Sequence, residues 1–185
     1  MPEKKIMLAG SITNLTDARF FAAYDVDYIG FCFDPLSPDY ISPQNALAIK
    51  GWISGPKIVA EFANQDLENV KNIISFFEPD IVECELRSSD FKILNTELHF
   101  ILKISGNDLN EMHEENCLFY LTDDINIIQQ SNSEIPFMLD ITGKEINLSD
   151  SKIKAIQIKG SQEIEVGVKD YDAIADLLEQ LNNFK

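Results

Sequence analysis

The stretch from Tyr28 to Ser42, YIGFCFDPLSPDYIS, restricts the fold more than any other part of the chain. It opens with Tyr28, Ile29, Phe31 and Phe33, an apolar and aromatic-rich run of the kind found in a strand buried on both faces. Pro35, Ser37 and Pro38 then stop any helix or ladder. Ser42-Pro43 supplies an N-cap followed by a proline at the first helical position, opening a helix through Ala46, Leu47 and Ile49 that runs to about Ile53. Strand, stiff loop and helix in that order make the repeating unit of α/β barrels, whose chemistry sits in the loops after the strands.

The same alternation runs through the rest of the chain. Lys5 to Ile12 reads as the first strand, with Asn14 or Thr16 capping a helix through Leu15, Ala18, Phe21 and Ala22. Lys57 to Ala63 is the third strand, and Asp66 starts an amphipathic helix that Pro79 ends. Asp80 to Leu86, Leu98 to Ser105, Cys117 to Leu121, Pro136 to Ile141 and Ala155 to Lys159 supply five more strands. Short helices are expected at Ser89 to Leu94, Leu109 to Glu114, Ile125 to Gln129 and Leu148 to Ile153, and a strong one closes the chain at Tyr171 to Asn182. About eight alternations are the count a closed (β/α)8 barrel requires. Such barrels typically run to about 250 residues. At 185 residues this chain has room for one domain only, with shortened helices in the second half. An open doubly wound sheet is the alternative if the strand count is off.

Charge narrows the functional classes. With 31 acidic against 15 basic residues the formal charge is −16, which would repel the phosphates of nucleic acid or of an anionic membrane. No apolar run approaches membrane-spanning length, and the N-terminus has no secretory signal pattern. Cys32, Cys84 and Cys117 lie far apart without metal-finger spacing, as expected of reduced thiols in the cytoplasm.

The pattern GF-x-F-x-P-x-SP-x-YIS around Gly30 to Ser42 resembles the second strand and loop of phosphoribosylanthranilate isomerases. GSITNLTDA at Gly10 to Ala18 and EVGVKDYDAI at Glu165 to Ile174 are similar to the same family, in its order. The resemblance implies a (β/α)8 barrel and an Amadori rearrangement in tryptophan biosynthesis, acting on a small phosphorylated ligand with no cofactor, as a monomer or homodimer. That reaction needs a general acid at the ring oxygen and a general base at C2.

Residue by residue, the family site is altered. The family takes its base from a cysteine in a pattern like KICGITN. Here that place falls to Ala9 if one residue is inserted and to Gly10 if none is, and neither side chain can take a proton. Cys32 on the next strand is the candidate substitute base, set against the core packing that is the commoner use of a buried cysteine. Asp123 matches the family's acid, set against a helix-capping role for Asp123 or Asp124. Asp39 stands where SPRYIS has an arginine for the anthranilate carboxylate, so it would repel that group. Gly160 and Ser161 could make half a phosphate cradle, whereas Asp140 stands where free N–H groups are wanted. Asp34, Asp39, Glu85 and Asp140 fall at or just past strand ends, with Glu61 and Glu83 within strands. Converging there, carboxylates either hold a divalent cation or raise one another's pKa; otherwise they are solvated loop charges. His99 and His113 read as structural or exposed. The expectation is a family barrel with isomerase activity impaired or lost. The alternatives are a small-molecule or metal-binding barrel with an acidic mouth, and a non-catalytic partner-binding scaffold.

Overall fold

The computed structural model describes residues 4–63, 65–85, 97–105, 116–144, 150–160, 163–165, 168–169 and 171–183. The chain starts with β1 (Ile6–Gly10), α1 (Leu15–Ala23), β2 (Tyr28–Cys32), α2 (Pro43–Lys50), β3 (Lys57–Phe62), α3 (Leu67–Phe77) and β4 (Ile81–Glu85). It continues through β5 (His99–Lys103), β6 (Cys117–Thr122), α4 (Ile125–Gln130), β7 (Phe137–Asp140) and β8 (Ile153–Lys159). A small antiparallel pair, β9 (Glu163–Glu165) and β10 (Val168–Lys169), precedes the last helix, α5 (Asp172–Asn183). Strands β1 to β8 pair in chain order, all parallel, and β8 pairs back onto β1, so the sheet closes into a barrel. The open doubly wound alternative is thereby excluded.

Alternation along the strands divides the core in two. Leu8, Tyr28, Val59, Ile81, Ile101 and Met138 belong to a cluster that contains no helix residue and fills the lumen. Their neighbours one position to either side, such as Met7, Ile29, Ile58 and Val82, pack with Phe21, Ile49, Ile73 and Leu178 from the helices. Side chains of period two thus serve two cores, which is why the strands read as unbroken apolar runs.

Local chemistry sets the helix starts. The Asn14 Oδ1 accepts the Asp17 N–H at 2.9 Å, and Ser42 caps α2 ahead of Pro43. Asp66 caps α3, which ends with Glu78 in the left-handed region at φ 49°. Asn14 rather than Thr16 is therefore the cap of α1. Helix α2 stops at Lys50, shorter than expected, because Gly51 ends it and the chain turns. The helices expected at Ser89 to Leu94 and Leu109 to Glu114 lie outside the described residues. Of the one expected at Leu148 to Ile153, residues 148–149 lie outside the described residues, and the rest is no helix: Asp150 to Lys152 make a turn, with the Asp150 side chain accepting the Lys152 N–H at 2.9 Å, and Ile153 opens β8. The β9–β10 pair runs into the EVGVKDYDAI stretch from Glu163, where no strand was expected. The Tyr171 hydroxyl donates to buried Asp17, which ties the start of α5 to α1.

Candidate functional site

The strand phase decides which residues reach the barrel mouth. Leu8 is luminal, so Gly10 is luminal and Ala9 packs outward among the helices. Of the two positions offered for the family's cysteine, Gly10 is therefore the luminal one. By the same alternation Gly30 and Cys32 of β2, Glu61 of β3, Glu83 and Glu85 of β4, Lys103 of β5, Asp140 of β7 and Gln157 and Lys159 of β8 point inward. At the C-terminal ends of the strands, where barrel chemistry is found, these side chains enclose a polar cavity of about 270 Å³.

Glu61 is the centre of that cavity. Both its carboxylate oxygens accept the Ser11 N–H, at 2.9 and 3.1 Å, and Oε2 also accepts the Ser11 hydroxyl at 2.9 Å. Ser11 aims its N–H there from the left-handed region, φ 54°, a conformation costly for a residue with a Cβ. The carboxyl lies over two glycines. A Cβ at Gly10 would meet Gln157 Nε2 at 2.4 Å and Glu61 Oε1 at 3.0 Å, and one at Gly30 would overlap the carboxyl outright. Register partner Glu83 stands beside it on β4. The best hydrogen bond described for Glu83 is from Gln157 Nε2, at 3.5 Å.

Both glutamates are buried. Burial raises the Glu61 pKa, against the Ser11 hydrogen bonds and the Lys159 charge that lower it. Burial raises Glu83 well above its ordinary value, with the neighbouring Glu61 charge adding to the effect and Lys103 and Lys159 opposing it. The difference follows from donors: Glu61 has a set that favours its anion, and Glu83 lacks one.

The side chains singled out in the sequence fall in different places. Cys32 lines the cavity and is buried, and burial pushes its thiol up, away from the thiolate a base would need. Asp34, Glu85 and Asp140 also line it, whereas Asp39 is outside it, in the loop after β2 with Lys159 Nζ at 4.0 Å. Asp34 closes its own turn by accepting the Leu36 N–H at 2.9 Å. Asp140 accepts the Thr142 N–H at 2.9 Å, so it occupies a backbone donor that an anion would otherwise use.

Asp124, not Asp123, caps α4, accepting the Asn126 N–H at 2.9 Å. Asp123 lies at the rim with its side chain 74% exposed and 3.1 Å from Lys144 Nζ, whose hydrogen bond holds the carboxyl below the usual range. Gly160 follows β8 directly, and a Cβ there would lie 3.2 Å from Asp17 Oδ2, so a carboxylate already stands beside it. Ser161 and His113 are outside the described residues, and His99 is exposed at the start of β5. Among the described residues no group of three or more histidine, cysteine or acidic side chains is arranged to hold a metal ion. No helix among them is long and apolar enough to cross a membrane.

Sequence reading placed Glu61 and Glu83 in strands but not in the site. Gly10 and Gly30 carried the missing signal, since a glycine inside a strand marks a close approach by another group.

No protein-family model matches the sequence. The N-(5'-phosphoribosyl)anthranilate isomerase of Thermotoga maritima is 35% identical over 75 residues, a stretch covering 39% of this chain and 36% of that protein. The chain thus matches little more than a third of the length of its curated relatives. The phosphoribosylanthranilate isomerase of Thermus thermophilus superposes with a TM-score of 0.78 at 17% identity, over 97% of this chain and 100% of its own. The Pyrococcus furiosus enzyme gives 0.76 at 15% identity over 97% and 99%. A third isomerase, solved in complex with reduced 1-(o-carboxyphenylamino)-1-deoxyribulose 5-phosphate, gives 0.70 at 18% over 97% and 99%. Identities this low speak for the fold alone. This chain resembles the phosphoribosylanthranilate isomerase family, in sequence over those 75 residues and in its closed barrel over nearly its whole length.

Proposed function

We propose that this protein is a phosphoribosylanthranilate isomerase-like barrel in which the family's Amadori rearrangement is impaired. The observation that carries this reading is Gly10, luminal at the place of the family's base, with the Glu61 carboxyl packed over it. A carboxylate is intrinsically less basic than a thiolate, and losing a matched general base costs about 10²–10⁴-fold. Two further features support the reading. Asp39 replaces the arginine that would pair with the anthranilate carboxylate, and Asp140 and Asp17 stand at the two loops where the family's phosphate would seek N–H donors. The ligand we assign is small and phosphorylated, held against Lys103 and Lys159, the cavity's two cationic side chains. The three free cysteines suit the cytoplasm.

Turnover of phosphoribosylanthranilate, followed by fluorescence, tests this. The expected kcat/KM lies at least about 100-fold below that of the Thermus thermophilus isomerase measured alongside. Parity between the two would refute the reading.

A second reading is favoured by one observation, the convergence of Asp34, Glu85 and Asp140 on the cavity. It takes the mouth as a receptor for a small cation. A thermal shift with spermidine that vanishes in Asp140→Asn would support it, and no shift would remove it.

A further inference from the structure

We propose that Glu61 and Glu83 form an acid–base pair, with Glu61 accepting the proton and Glu83 donating it, so that proton transfer has moved from β1 to β3 and β4. The inference deepens the functional reading above and rests on it.

Geometry separates the two roles. Glu61 takes three hydrogen bonds from one residue, Ser11, whose left-handed backbone also brings the next N–H, of Ile12, onto the Gly30 carbonyl at 2.8 Å. Gly30 leaves the room in which the carboxyl sits, so any side chain there would displace it, and Gly10 leaves room for the Gln157 amide, with the carboxyl edge just beyond. Hydrogen bonds such as those from Ser11 favour the anion, the form that accepts a proton, and work against the burial that opposes it. Glu83 faces the same cavity as its register partner, with one long contact from Gln157 and a negative neighbour. It keeps its proton and can give it. Two buried carboxyls pushed apart in this manner are the usual mark of an acid and a base sharing a site.

The chemistry suits a small glycosylamine, the adduct of an aldose and an amine. Glu83 gives its proton to the ring oxygen as the C1–O bond breaks and the nitrogen lone pair forms a C1=N iminium. Glu61 takes the C2 proton; the C2–H electrons become the C1=C2 bond and the iminium pair returns to nitrogen. The enolamine then tautomerises to the 1-amino-1-deoxyketose, and the proton on Glu61 passes through water to restore Glu83. No oxidant or second substrate is needed. Other titratable or charged groups around the pair are Cys32, Asp34, Asp39, Cys84, Glu85, Lys103, Asp140 and Lys159. Of these the lysines favour the ionised carboxyls and the aspartates oppose them.

The test uses the whole chain with two probes. Turnover of phosphoribosylanthranilate is measured against pH for the unaltered protein, Glu61→Gln and Glu83→Gln. Binding of reduced 1-(o-carboxyphenylamino)-1-deoxyribulose 5-phosphate is measured by calorimetry on the same samples. The expected result is a slow, bell-shaped profile that loses its acidic limb and about 100-fold in kcat in Glu61→Gln, and its alkaline limb in Glu83→Gln. Affinity for the reduced compound should stay within about threefold throughout, which also shows that the variants fold. Unchanged kcat and limbs in Glu61→Gln, with binding intact, would overturn the pair and leave the family reading standing. Absence of turnover in the unaltered protein would overturn it as well; absence of binding besides would remove the family reading too.

Discussion

At the scale of single residues, the mouth depends on atoms that are missing as much as on those present. Gly10 and Gly30 contribute no side chain; the Glu61 carboxyl fills the space over Gly30, and the Gln157 amide and the carboxyl edge share that over Gly10. Gly30→Ala is therefore expected to force the Glu61 side chain off its rotamer and cost about 1–3 kcal/mol, measured by urea unfolding. Gly51→Ala is the control. Its backbone is helical at φ −66°, and its Cβ would approach nothing nearer than the Ala48 carbonyl at 3.5 Å, so it should be neutral or gain about 0.4–1 kcal/mol. The sequence printed these glycines plainly. It did not print which face they were on, because Met7 to Gly10 is apolar or small throughout and offers no polar position to fix the phase.

Among elements, the junction of β6 and α4 separates two adjacent aspartates that sequence left interchangeable. Asp124 accepts the Asn126 N–H and starts α4, while Asp123 turns to Lys144 across the rim. Helix α4 has six residues, too few to stand by propensity, so it leans on its cap and on buried Ile127 and Ile128. Asp124→Ala should cost about 1 kcal/mol in denaturant unfolding. Asp123→Ala breaks a solvent-exposed pair and should change stability by less than about 0.5 kcal/mol. Equal losses would mean that the two side chains share the cap. A cap is legible within a few residues, and Asn14, Ser42 and Asp66 were readable for that reason. The partner of Asp123 was not, since Lys144 stands 21 positions away and meets it only once β6 and β7 pair.

Taken whole, the molecule carries a formal charge of −16 on a closed barrel whose mouth concentrates carboxylates. Self-repulsion on that scale destabilises the compact state and is screened by salt. Raising sodium chloride from 10 to 150 mM should therefore lift Tm by roughly 2–4 °C, the shift that about 1 kcal/mol gives a domain of this size. A Tm that falls with salt would mean that the lysine–carboxylate attractions at the mouth outweigh the general repulsion.

Sequence alone determined the alternation of strand and helix, because each element is specified by neighbours: apolar runs, caps and prolines within a few positions of one another. It also put Ala9 and Gly10, and no cysteine, at the two positions where the resemblance looks for one. Only closure of the sheet decided which side chains gather beside Gly10. Gly10, Gly30, Glu61 and Glu83 come from four strands spread over more than seventy positions, and parallel pairing alone brings them to one cavity. A strand buried on both faces shows no polar alternation, so the side facing the lumen is fixed by register and not by composition.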